Sequence, residues 1–104
     1  MPVRAFRMQL KPGMAARYQA EHDLIWPELS TLLKQTGISD YAIYLDEVSL
    51  ALFATLHVED ESRLATLADH PVMRRWWDQM APLMETLPDN RPVEWTLRRV
   101  FHLP

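Results

Sequence analysis

The chain has 104 residues, 48% of them hydrophobic and 24% charged, with a net charge of -3 and no cysteine. That length is one domain, 1–104, able to bury roughly 65% of its unfolded surface. The balance leaves no basic footprint for nucleic acid, no disulfide framework or thiolate zinc site, and no apolar run near the roughly 18 residues of a membrane span. No apolar run follows a basic start, so a soluble cytoplasmic protein is expected.

Val3 to Leu10 alternates, with Phe6, Met8 and Leu10 on one face, which predicts a half-buried strand. Arg4 interrupts that face, so the strand should start near solvent. Lys11-Pro12-Gly13 stops it. A helical pattern then runs from about Met14 to Gln35 with Pro27 inside it. A proline there removes a hydrogen bond and crowds the carbonyl four residues back. The helix should either kink near Trp26 or restart with Pro27 in its first turn. Gly37 suits the position just past the helix end.

Tyr41 to Asp46 and Leu50 to Val58 are rich in strand formers. The short Glu47-Val48-Ser49 between them predicts an antiparallel hairpin. A helix is expected from Asp60 to about Leu67, and another from Pro71 to about Met84, with Pro82 near its end. Glu94 to Leu103 reads as the last strand, with Trp95, Leu97 and Phe101 on one side. The order strand, helix, strand, strand, helix, strand is the split βαβ pattern of an α+β, ferredoxin-like fold. It predicts a four-stranded antiparallel sheet with helices on one face. Leu50, Leu52, Leu56 and one side of Val3–Leu10 offer more apolar surface than one helical layer hides. A homodimer through the sheet face, a dimeric α+β barrel, is the expectation.

Tyr18, His22 and Trp26 are spaced by four, so on a continuous helix neighbours lie roughly 40° apart on one face. A phenol, an imidazole and an indole together suit a small polyol site, and suit core filling equally. Among His22, His57, His70 and His102 no metal-ligand spacing occurs. His22 titrates near neutrality and is a candidate general acid or base, or else a partly exposed helix residue. His70 reads as a helix start. Trp76 and Trp77 sit about 100° apart on a helix, so one joins the stripe of Val72, Met73, Met80 and Met84, and the other either packs in the core as well or walls a pocket. Tyr41 and Tyr44 point to opposite faces of their strand, and spacing does not say which is functional. With only two glycines there is no phosphate-cradling loop, and no nucleophile elbow occurs.

Several segments resemble the L-rhamnose mutarotase family: Ala5-Phe6, Tyr18 with His22, Ile25-Trp-Pro-Glu-Leu29, Tyr41-Ala-Ile-Tyr-Leu-Asp46, Arg75-Trp-Trp77 with Met80, Pro88-Asp-Asn90 with Pro92-Val93, and Val100-Phe101 with Leu103-Pro104. They occur in order, at matching separations, along essentially the whole chain. The resemblance implies a homodimeric ferredoxin-like enzyme that interconverts the α and β anomers of L-rhamnose, with no metal and no organic cofactor. It implies His22 as proton donor and Tyr18, Tyr41, Trp76 and Trp77 as sugar-binding residues. Two other readings accompany it: a dimeric α+β barrel oxygenase, and a non-catalytic sugar-binding module.

Overall fold

The computed structural model describes residues 2–104. The elements are β1 (Val3–Gln9), α1 (Ala15–Asp23), α2 (Pro27–Gln35), β2 (Ile38–Leu45), β3 (Ala51–Val58), α3 (Arg63–Asp69), α4 (Pro71–Met80) and β4 (Trp95–Thr96), with a 3-10 turn at Ala81–Leu83. The four strands form one antiparallel sheet in the order β2-β3-β1-β4. This is the expected ferredoxin-like arrangement. Among the described residues no helix is long and apolar enough to cross a membrane.

Alternation explains which face is covered. In β1 and β3 the even-numbered residues Phe6, Met8, Leu52, Ala54, Leu56 and Val58 are buried, against Leu29 of α2 and Met73, Trp76 and Met80 of α4. Leu52 and Leu56 therefore belong to the helix-covered core, and the expectation that they spill onto the open face is corrected. The open face is built from odd-numbered residues of β1 and β3, joined by Trp95 of β4 and Tyr44 of β2: Arg7 stands opposite Phe53 and Trp95, and Tyr44 opposite Phe53. Phe53, Trp95 and Tyr44 are 37%, 42% and 64% exposed.

The first helical pattern is two helices. Pro27 disfavours helical geometry in the residue before it. Trp26 accordingly adopts φ -59, ψ 131, and Pro27 opens α2. The break is the restart expected from the sequence, three residues wide. Gly37 lies past the end of α2 at φ 89, where a Cβ would meet Glu59 Cβ at 3.3 Å. In α4, His70 caps the start, its Nδ1 accepting from the Val72 N–H at 3.2 Å. Pro82 lacks the N–H that would continue that helix, so it ends at Met80, short of the expected Met84. In front of α3, Asp60 takes the Ser62 N–H at 3.0 Å, and the helix begins at Arg63 rather than Asp60.

The last strand is the largest departure. Pairing covers only Trp95–Thr96, plus one bond from the Leu97 N–H to the Ala5 carbonyl. The register Phe6↔Thr96 would put Val3, where β1 starts, opposite Arg99. Val100 to Leu103 thus overshoot the neighbouring strand. Val100, Phe101 and Leu103 are about four-fifths exposed (81%, 78% and 79%).

One irregularity shapes the site. Ser39 pairs with His57, yet Ala42 pairs with Thr55, so one extra residue enters β2 between them. Asp40 has φ 49 there, as the unpaired residue of a bulge can. A slip of one residue moves every following side chain to the other face. Unbulged, Tyr41 would stand opposite Thr55 on the open face and Tyr44 opposite Leu52 under the helices. The bulge exchanges them.

Candidate active site

Between the helices and the β2 side of the sheet lies an open cleft of about 1450 Å³, and Tyr18, His22, Tyr41, Trp76 and Trp77 all line it. This exceeds the roughly 300–1000 Å³ of common small-molecule pockets. Five residues from α1, β2 and α4 thus share one cavity.

His22 is at its centre. The spacing of four within α1 brings its ring against that of Tyr18, with centroids 4.2 Å apart and the planes tilted by 34°. The edge of Trp76 meets it from α4, with centroids at 5.3 Å. Its Nδ1 lies 2.9 Å from the Tyr18 carbonyl. A carbonyl only accepts, so Nδ1 carries the hydrogen and the neutral ring keeps its lone pair on Nε2. Burial holds the His22 pKa below the usual histidine value, against the Tyr18 carbonyl and the Glu21 and Asp23 carboxylates, which raise it.

The two tyrosines are held neutral. Burial raises the Tyr18 phenol, with Tyr41 adding to the effect. Tyr41 as a residue is 40% exposed, yet the surroundings of its phenol end are desolvated enough to raise its pKa, the Glu94 charge adding to the rise and the Arg4 charge opposing it. Neither phenol ionises near neutral pH, so each offers a hydroxyl that donates as well as accepts.

The paired tryptophans divide their roles. Trp76 completes the Met73–Met80 stripe at 5% exposure, and its ring also meets that of Trp26 edge-on at 5.1 Å. Trp77 is half-buried on the cleft wall, with the guanidinium groups of Arg91 at 5.5 Å and Arg74 at 6.0 Å from its ring centroid. Trp26 keeps its place beside Trp76 although its helix is broken.

Arg4, Glu94 and Arg91 also line the cleft, and sequence reasoning did not single them out as site residues. Arg4 and Glu94 form an ion pair at 3.0 Å. The signal for Arg4 was visible as a charge on an otherwise apolar strand face. Glu94 and Arg91 carry none, because loop geometry brings them in. Among the described residues no group of three histidine or acidic side chains comes together as a metal site.

A family model described as L-rhamnose mutarotase matches residues 4–103. The L-rhamnose mutarotase of Rhizobium meliloti is 59% identical over 99 residues, 95% of each chain. That of Sinorhizobium fredii is 57% identical over 99 residues, again 95% of each. The crystal structure of L-rhamnose mutarotase from Formosa agariphila superposes with a TM-score of 0.92 at 39% identity, covering 100% of both chains. A Deinococcus radiodurans protein assigned to the antibiotic biosynthesis monooxygenases superposes with a TM-score of 0.63 at 11% identity, covering 100% of this chain and 97% of that one. That last likeness is one of fold alone.

Proposed function

The chain belongs to the L-rhamnose mutarotase family, and from that membership we propose that its cleft interconverts the α and β anomers of L-rhamnose. The observation that carries the reading is His22, half-buried between Tyr18 and Trp76 with Nδ1 occupied by a backbone carbonyl. Its other nitrogen is left for substrate.

Mutarotation requires the pyranose to open, rotate about C1–C2 and reclose. As the C1–O5 bond breaks, the ring oxygen gains a proton and the anomeric hydroxyl loses one. His22, through Nε2, delivers the proton to the ring oxygen and recovers it on reclosure. Burial makes the imidazolium the minor form at neutral pH, and a correspondingly stronger acid. Tyr18 and Tyr41 remain un-ionised, so neither starts as a base. They hold sugar oxygens by hydrogen bonds, and water in the open cleft takes the anomeric proton. The indoles of Trp76 and Trp77 suit the apolar face of the sugar and its C5 methyl. No electrons or carbon–carbon bonds change hands, so the chemistry calls for no redox cofactor.

Saturation-difference NMR on the anomeric protons of L-rhamnose, with and without protein, tests this. Exchange faster than the spontaneous rate is expected. Saturable binding with no acceleration would instead support a sugar-binding module and defeat the proposal.

We also propose that the chain works as a homodimer through the open sheet face. Phe53, Trp95 and Tyr44 expose apolar surface there, and the unpaired Val100–Leu103 tail adds more. Monomers rarely leave a contiguous apolar area of this kind in water. Sedimentation equilibrium at roughly micromolar concentration should return twice the chain mass, within the range where specific dimers persist. A mass equal to one chain at that concentration rejects this assembly.

A further inference from the structure

Most arginines near the cleft are committed to a partner. Arg4 is bound to Glu94. Arg74 meets Asp69 and Asp89, and Arg75 meets Glu28. Arg91 is different. Its guanidinium lines the cleft and sits over the Trp77 ring at 5.5 Å. Its Nε is buried without a hydrogen-bond partner. Among the described residues its side chain makes no hydrogen bond or ion pair. That Nε is enclosed by protein, so what the side chain can offer a ligand is the rest of its guanidinium fork, a cation with no anion among the described residues paired to it.

The loop that carries Arg91 is stiff. The Leu87 N–H donates to the Arg91 carbonyl at 2.8 Å, and the Asn90 N–H to the Leu87 carbonyl at 2.9 Å. Asn90 adopts φ 70, which asparagine tolerates better than most residues. Its side chain donates to Asp78 Oδ1 on α4 at 3.0 Å. Asp89 accepts from the Arg91 backbone N–H at 3.1 Å and is approached by Arg74 at 3.4 Å. Asp89, a carboxylate that feels the Arg91 charge, is thus engaged by other groups, while backbone and side-chain bonds hold the Arg91 loop against α4. The other arginine with an unpartnered buried Nε, Arg7, lies over Trp95 on the open sheet face, away from this cleft.

We infer that the Arg91 guanidinium is a substrate-binding group, donating hydrogen bonds to hydroxyls of a pyranose laid against Trp77. The inference rests on the cleft being the sugar site. Arginine is suited to the task because its planar fork presents several donors in fixed geometry. Arg91 and Trp77 then act as one unit, the indole reading C–H and the guanidinium reading O–H.

The test is binding and anomer exchange of L-rhamnose and its 2-, 3- and 4-deoxy analogues by wild type and Arg91→Met, which keeps an apolar stem on Trp77 without donors. The variant should bind L-rhamnose about 10-fold or more weakly, as for loss of a charge-assisted hydrogen bond, with kcat much less affected. The analogue lacking the contacted hydroxyl should bind the variant no worse than L-rhamnose does. A purely structural role would weaken binding but leave every analogue's penalty as in wild type, and that result overturns the inference. So does wild-type binding by the variant. Arg91→Gln serves if Arg91→Met fails to fold. His22→Asn in the same series separates the two levels: wild-type exchange by that variant rejects the site assignment itself, whereas lost exchange there with normal binding by Arg91→Met rejects Arg91 alone.

Discussion

His22→Asn should lower kcat for L-rhamnose anomer exchange by ~10²–10⁴-fold, or down to the spontaneous rate, while sugar binding changes far less. General acid catalysis by a positioned side chain is typically of that size, which corresponds to roughly 3–5.5 kcal/mol of barrier. Asparagine keeps the approximate volume between Tyr18 and Trp76 and can still donate to the Tyr18 carbonyl that now holds Nδ1. What it lacks is a titrating group. An interaction made only as the ring oxygen takes its proton acts on kcat rather than on ground-state affinity. Exchange at the wild-type rate would mean that His22 is not the acid, and the site would have to be redrawn around Tyr18 or Tyr41.

The same variant has a second readout. Burial lowers the folded-state pKa of His22, whereas the unfolded chain keeps the ordinary value of about 6.5. Between the two values the unfolded state binds more protons, so stability rises with pH there. His22 therefore withholds stability on acidification: its share is intact above about pH 6.5 and is lost as pH falls to its folded value. The melting temperature of wild type should drop more on acidification through that window than that of His22→Asn. An equal drop in both would show that the imidazole is no harder to protonate in the fold than out of it.

Trp76→Ala and Trp77→Ala should separate fold from binding. Trp76 is 5% exposed and supports both His22 and Trp26 edge-on. Its truncation should cost ~3–5 kcal/mol, a large share of the roughly 5–15 kcal/mol that holds a domain together. The expected fall in melting temperature is more than about 10 °C, with exchange also lost because the His22 ring is no longer braced. Trp77 is half-buried on the cleft wall, so its truncation leaves more of the core intact. The main expected loss is L-rhamnose affinity, by roughly 2–10-fold, the scale of a lost aromatic contact. If Trp77→Ala unfolds early yet binds normally below its melting temperature, it is core and not wall.

Much of this arrangement follows from local rules. The alternation of Phe6, Met8 and Leu10 and of Leu52, Ala54, Leu56 and Val58 determined two strands and which residues share a face of each. The spacing of four between Tyr18 and His22 determined that their rings would meet, because both lie within one unbroken helix. Pro27 and Pro82 determined where α2 begins and where α4 ends, since a missing N–H and a fixed φ act on the chain directly.

Other features depend on partners far along the chain. Leu52 and Leu56 could have faced either way until helix packing on one face of the sheet was decided. The last strand pairs only at Trp95–Thr96, and in that register β1 offers no partner at all beyond Arg99, so the length of pairing is decided by the neighbour and not by the strand-forming residues of the tail. Trp26 reaches Trp76 across the gap between two helices, and Arg91 reaches Trp77 from a loop tied to Asp78; no periodicity encodes either contact. The bulge at Asp40 is the sharpest case. Tyr41 and Tyr44 are both strand tyrosines of opposite parity, and the local sequence treats them alike. One extra residue in the ladder turns Tyr41 into the cleft and Tyr44 onto the open face, because strand side chains alternate with period two and a single slip reverses them all. Register is a property of two strands together, so only the tertiary structure could assign which phenol turns to the helix-covered side.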